Sequence, residues 1–324
     1  MHPIIFTFPD WIPLLGGAHI YSYGVMLGIG FISAWYLGMH FTLREGFSYK
    51  KVTAVYALAI VFALIGARVA HLICNPETWK FERGFIPALF ASRCEGLVAY
   101  GGYIGGVFAA WVYLRLKKLD FWSLCDGSTP SLALGLGFTR IGCLLAGCCH
   151  GQPTDLPWGV SFPPGSQAAG TFPGIGGYSA CVHPTQIYES LVGFALVPLG
   201  IYILKRRKFT GQAFLIMIAC YAVARFLLEF IRGDNDRGGF GGSHAAPMLS
   251  ASQFIGLVLL LVALLLYLWR WKTAPKPPEP RTKEEINEML IAEGVAKGKD
   301  KKGKKTAKAA DKSSKKSKKK KKSV

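Results

Sequence analysis

The chain has 324 residues, of which 51% are hydrophobic, with 21 Phe, 8 Trp and a mean hydropathy of +0.30. That is too apolar for a water-soluble domain of this length. The formal charge of +19 resides mainly at one end, because residues 296–324 hold 15 Lys against only Asp300 and Asp311; it is no sign of a nucleic-acid-binding fold, and no nucleic-acid partner is expected.

In chain order, residues 1–18 lack a basic start and contain Asp10 and several prolines, so no cleavable signal peptide is expected. Apolar runs of bilayer length follow at Ile20–Leu43, Val52–Cys74, Gly96–Leu114, Phe121–Ala146, Gln186–Leu204, Gly211–Ile231 and Ser250–Trp269. These seven spans predict an all-α integral membrane protein. Each odd-numbered span ends on a basic cluster: Arg44, Lys50 and Lys51; Arg115, Lys117 and Lys118; Lys205 to Lys208; Arg270, Lys272 and the tail. The stretch from Gly147 to Cys181 has no Lys or Arg. Basic loops stay in the cytoplasm, so the N-terminus is expected outside and the C-terminus inside. Residues 1–272 form the polytopic domain on this reading, and residues 273–295 a Pro-rich, charged linker with a short helical stretch. Residues 296–324 form a Lys-rich tail too polar to bury a core. That tail is either a solvated end or a contact to anionic lipid, worth about 1 kcal/mol per basic residue at the surface.

Polar residues inside apolar spans carry the functional signal, because a cation at the centre of a bilayer costs about 2.5–3.5 kcal/mol on insertion scales. Arg140 interrupts the glycine-rich run LGLGFTRIGCLLAGCCHG at residues 134–151. It either snorkels to the headgroups or faces a cavity with a partner. Span two holds Arg68 and His71. Span three carries Tyr100, Gly101, Gly102 and Tyr103, then Gly105 and Gly106, a small-residue pattern that suits close helix packing. Span five opens with His183, Gln186, Tyr188 and Glu189 in its first two turns. In span six, Tyr221, Arg225, Glu229 and Arg232 fall on one helical face. An Arg225–Glu229 pair would leave Arg232 over, unless Arg232 sits at the interface. An excess of arginine in a membrane cavity calls for an anion, and a phospholipid phosphate fits its fork geometry.

Cys74, Cys125, Cys143 and Cys220 read as small hydrophobes in or beside the spans. Cys94, Cys148, Cys149 and Cys181 fall outside the cytoplasm on this topology, where a disulfide such as Cys181 with one of the vicinal pair can form. Cys148-Cys149-His150 shows no fourth ligand, so neither a metal nor a cofactor is expected.

The residues YSYGVMLGIG in span one, GAR at 66–68, Gly101-Gly102, TRIG at 139–142, Gly151, WGV at 158–160, HPTQIYE at 183–189 and YAVARFLLEFIRGD at 221–234 together resemble the prolipoprotein diacylglyceryl transferase family over roughly residues 15–270. The resemblance implies seven spans and transfer of the diacylglyceryl group of phosphatidylglycerol to the lipobox cysteine of a prolipoprotein, in a bacterial inner membrane. It implies that Arg140 binds the lipid phosphate and that Arg225 holds or activates the same group. Tyr23, Tyr221 and Glu229 would line the cavity, with Arg68, Gly101, Gly102, His183, Gln186, Tyr188, Glu189 and Arg232 as further substrate-binding residues. The family signature Gly-Arg-x-Gly-Asn-Phe-x-Asn-x-Glu-x-x-Gly survives only at Arg140, Gly142 and Gly151. Thr139, Cys143, Leu144, Ala146 and Cys148 stand at its other specified positions. Tyr100 stands where the family usually has His before its Gly-Gly pair, so Tyr100, His183 or His150 is left to take the thiol proton. Two alternatives stay open: a divergent paralogue with another acceptor, and an unrelated anion transporter.

Overall fold

The computed structural model describes residues 4–9, 11, 17, 19–76, 89, 98–233, 239–243 and 246–296. Each expected span is a helix: α1 Ser22–Arg44, α2 Tyr49–Cys74, α3 Ala99–Leu116, α4 Phe121–Ala146, α5 Thr185–Arg206, α6 Gln212–Glu229 and α7 Ala251–Thr273. Six of them are long and apolar enough to cross a membrane. The exception is α3, where Tyr100, Tyr103 and four glycines dilute the apolar residues over its 18 positions. The chain is thus an all-α multi-pass membrane protein.

Helix ends follow from local chemistry. Asp120 opens α4 by accepting the Ser123 N–H at 2.8 Å, and Ser250 with Gln253 forms a reciprocal capping box at the start of α7. The helix α4 runs through Pro130 and stops at Gly147, whose left-handed φ of 74° lets the Cys148 N–H reach the Cys143 carbonyl and the Gly147 N–H reach that of Leu144. Span six ends earlier than expected, at Glu229, so Arg232 is not on the helix. It lies in a short bridge with Gly151.

The main helix pairings are α1 with α4, α2 with α3, α4 with α5, and α6 with α7. At the α2–α3 crossing, a Cβ on Gly101 would collide with the Gly66 carbonyl oxygen and the Ala70 side chain. Gly102 likewise faces the Ala63 carbonyl. Both glycines, expected to bind substrate, sit in this crossing, where absent side chains allow two backbones to touch. Arg68 is buried on α2 beside it.

Two features were not legible beforehand. Near the start of α4, buried Asp126 pairs with Arg207 at 3.1 Å and accepts the backbone N–H groups of Gly211 and Phe214, while Arg207 also pairs with Glu45. Beyond α4, the segment 147–183 folds over its own small core of Phe162, Ala168 and Val182, with Leu144 and Phe172 packed against it. Two antiparallel hairpins complete the picture, Ile4–Thr7 with His19–Tyr21 and Gly239–Ser243 with Ala246–Ser250. The chain divides into two compact units, residues 1–280 and 281–324; in the second, Lys283–Ala292 forms α8, opened by a Thr282–Glu285 capping box.

Candidate active site

Glu189, on the second turn of α5, is 2% exposed and is the centre of the site. Its carboxylate meets Arg140 Nε of α4 at 2.5 Å, Arg232 Nη1 at 2.9 Å and, more distantly, Arg225 Nη1 of α6 at 3.6 Å. Arg225 also pairs with Glu229 one turn along at 2.6 Å and donates to the Ser252 hydroxyl at 3.3 Å. Glu229 in turn accepts from the Ser250 hydroxyl at 2.8 Å. The Arg225–Glu229 pair therefore forms as expected. Arg232 does not snorkel: it is 9% exposed and bound to Glu189. Among the described residues, three guanidiniums thus meet two carboxylates between apolar helices. The snorkelling alternative for Arg140 fails for the same reason, since its side chain is held inward.

Aromatic side chains surround this cluster. Tyr23 of α1 lies against Gly142, within electrostatic reach of Arg140. Tyr221 of α6 is also near Arg140. Tyr103 of α3 lies within electrostatic reach of Tyr221, Arg140 and Glu189, and Tyr100 stands three residues before it on the helix. Tyr103 was named in the sequence as part of the span-three run but not assigned to the site, although its spacing from Tyr100 was the available signal. Ser250 was missed too, and its N-cap pattern Ser-x-x-Gln could have located it.

Other expected residues do different work. Gln186 is buried and donates from Nε2 to the Cys148 carbonyl at 2.8 Å, while Thr185 Oγ1 donates to the Cys149 carbonyl at 2.8 Å. Gln186 therefore fixes the turn after α4 through its amide nitrogen. Tyr188 accepts from Trp158 Nε1 at 2.7 Å, tying the WGV motif to α5. The backbone of His183 exchanges bonds with Gly151 and Gln152, and its ring packs edge-on to Tyr188. His150 is fully buried, with its ring edge-on to Phe172 and its Nδ1 3.0 Å from the Gly151 carbonyl oxygen.

The cysteines depart most from expectation. Cys181 is exposed, with its sulfur 3.4 Å from Ser161 Oγ, and among the described residues every cysteine is free. No bond joins Cys181 to the vicinal pair, and Cys94 lies outside the described residues. Cys143, read as a small hydrophobe, instead joins Cys148 and Cys149 in a cluster whose sulfurs all lie within 4.8 Å of one another. Cys149 holds a left-handed φ of 59°, unusual for a residue with a side chain. Hydrogen bonds from its two thiol neighbours hold Cys149 well below the ordinary thiol range, with Arg232 and Arg140 adding to the effect; the same contacts push Cys148 up.

The profile that describes prolipoprotein diacylglyceryl transferase matches residues 9–269. A phosphatidylglycerol–prolipoprotein diacylglyceryl transferase of Clostridium tetani is 31% identical over 262 residues, covering 81% of this chain and 95% of its own length. One of Clostridium perfringens, designated 2, is 34% identical over 76% of this chain and 89% of its own, and one of Dehalococcoides mccartyi is 29% identical over 77% and 88%.

Proposed function

The chain belongs to the prolipoprotein diacylglyceryl transferase family, and from that premise we propose how this site performs the reaction. The enzyme transfers the diacylglyceryl group of phosphatidylglycerol to the lipobox cysteine thiol of a prolipoprotein, releasing glycerol phosphate. The observation that carries the mechanism is the burial of Arg140, Arg225 and Arg232 together around Glu189 and Glu229. A phosphodiester anion suits the forked donors of these guanidiniums.

Arg140 and Arg225 bind the phosphate, and Glu189 fixes their orientation. The sulfur gives up its proton to solvent and attacks the glyceryl carbon as that carbon's bond to the phosphate oxygen breaks, and glycerol phosphate leaves with the electron pair. The leaving phosphate gains charge in that step, so guanidiniums fixed beforehand stabilise the transition state more than the bound lipid. Tyr23 and Tyr221 line the lipid side. Tyr100 faces the incoming thiol. Its phenol acts as a hydrogen-bonding partner of the sulfur.

The orientation we propose is N-terminus outside and C-terminus in the cytoplasm of a bacterial inner membrane, with residues 1–272 catalytic and the Lys-rich tail on anionic lipid. This puts the Arg140 end of α4 where exported precursors emerge. The test is complementation: cells depleted of their own transferase regain lipid-modified lipoprotein when they express this chain. Failure despite normal membrane insertion would count against the transferase and for a paralogue with another acceptor.

A further inference from the structure

The Cys143–Cys148–Cys149 cluster has no part in the phosphate chemistry, yet three separate features build it. The Gly147 turn brings Cys143, in the last turn of α4, beside Cys148 just after it, as the backbone bonds from Cys148 to Cys143 and Gly147 to Leu144 require. The left-handed backbone at Cys149 folds the third sulfur back toward them. Thr185 and Gln186 then pin the carbonyls of Cys149 and Cys148 from the first turn of α5. Cys148 and Cys149 remain partly exposed, so a fourth group can approach.

We infer that these three thiolates hold a zinc ion whose fourth position receives the substrate thiol. Zinc–sulfur bonds of about 2.3 Å place three sulfurs of a tetrahedral site about 3.8 Å apart. The observed limit of 4.8 Å needs a contraction of about 1 Å at most. Soft thiolates select d¹⁰ ions such as zinc, and three protein ligands with one open place is the pattern of a reactive rather than a closed zinc site. Arg140 stands one turn before Cys143 on the same face of α4, so the open place adjoins the phosphate site.

This inference rests on the transferase reading and supplies what Tyr100 cannot. A thiol that coordinates zinc loses its proton outright, and that proton passes to solvent. The zinc-bound sulfur then forms a bond to the glyceryl carbon as the carbon–oxygen bond to phosphate breaks, and glycerol phosphate leaves with the electron pair. The thioether product, a poorer ligand than a thiolate, departs and reopens the site.

The experiment uses the full chain purified in detergent under reductant. Its metal content is measured beside that of the Cys143→Ser, Cys148→Ser, Cys149→Ser triple variant. We expect about one zinc per chain, absent in the variant, and an affinity about 10–100-fold lower in Gln186→Leu, which loses the bond that orients Cys148. With cobalt substituted, a lipobox peptide should strengthen the thiolate-to-cobalt absorption, and the same peptide with Ser for Cys should not. Zinc-free protein, copper in its place, a disulfide within the cluster or a spectrum indifferent to the peptide thiol overturns the inference. Since the unaltered chain decides the metal content, a variant that fails to fold does not blunt the test. Transfer of lipid by demonstrably zinc-free protein refutes the metal site and keeps the transferase; zinc binding with a thiol response but no transfer does the reverse.

Discussion

A single carboxylate organises the chemistry. Glu189 touches Arg140, Arg232 and Arg225, so each guanidinium is held by a partner it shares. Replacing Glu189 with Gln would leave buried cations uncompensated. The expected cost is about 3–5 kcal/mol, read as a lower unfolding temperature in detergent, together with loss of transfer. Arg140 answers a sharper question. Arg140→Ala should lower kcat/KM by at least about 100-fold with the fold retained, as loss of a preorganised charge donor does. Arg140→Lys should recover little, because an ammonium cannot reproduce the planar fork that meets Glu189 and a phosphate together. A lysine variant near full activity in a vesicle transfer assay would refute bidentate phosphate binding there.

Among the elements, α4 and α5 do most of the placing. The former presents Arg140, Gly142 and Cys143 in one turn, and the latter answers with Gln186 and Glu189 in its first two turns. These two helices stay in register through Ser190, whose hydroxyl donates to the Gly137 carbonyl at 3.0 Å. The α2–α3 pair has a different task, since Gly66 and Gly101 meet backbone to backbone. Gly101→Ala must force these helices apart. The expected result is a poorly accumulating, heat-labile protein rather than a folded one with impaired lipid affinity. A stable variant with raised KM would instead restore Gly101 to the substrate-binding set.

At the scale of the molecule, charge is divided by location: a buried, nearly balanced cluster among the helices, and an excess of Lys beyond residue 296. Deleting residues 297–324 should leave transfer in detergent unchanged. A peptide of residues 273–324 should bind vesicles rich in anionic lipid, and one of residues 273–296 should bind them far more weakly. A loss of detergent activity on truncation would place the tail in catalysis and contradict its assignment. The topology is checked by reporters, with a cytoplasm-specific fluorescent fusion expected to glow at the C-terminus.

How much was legible beforehand differs with the range of the interaction. Bilayer-length apolar runs determined seven helices, because a membrane-buried backbone has to satisfy its own hydrogen bonds, and the predicted ends for α4 match those observed. The motif residues named the family, and intramembrane arginine named an anion as the ligand class. Pair spacing along one helix also disclosed Arg225 with Glu229. Only tertiary structure decided which charges meet: Glu189 with Arg140 and Arg232, and Asp126 with Arg207, join positions remote in sequence. It also put Gly101 in backbone contact with Gly66, and made Cys143 the third member of a thiol cluster. The physical reason is that helix periodicity fixes which face a residue occupies, whereas its partner depends on which other helix covers that face.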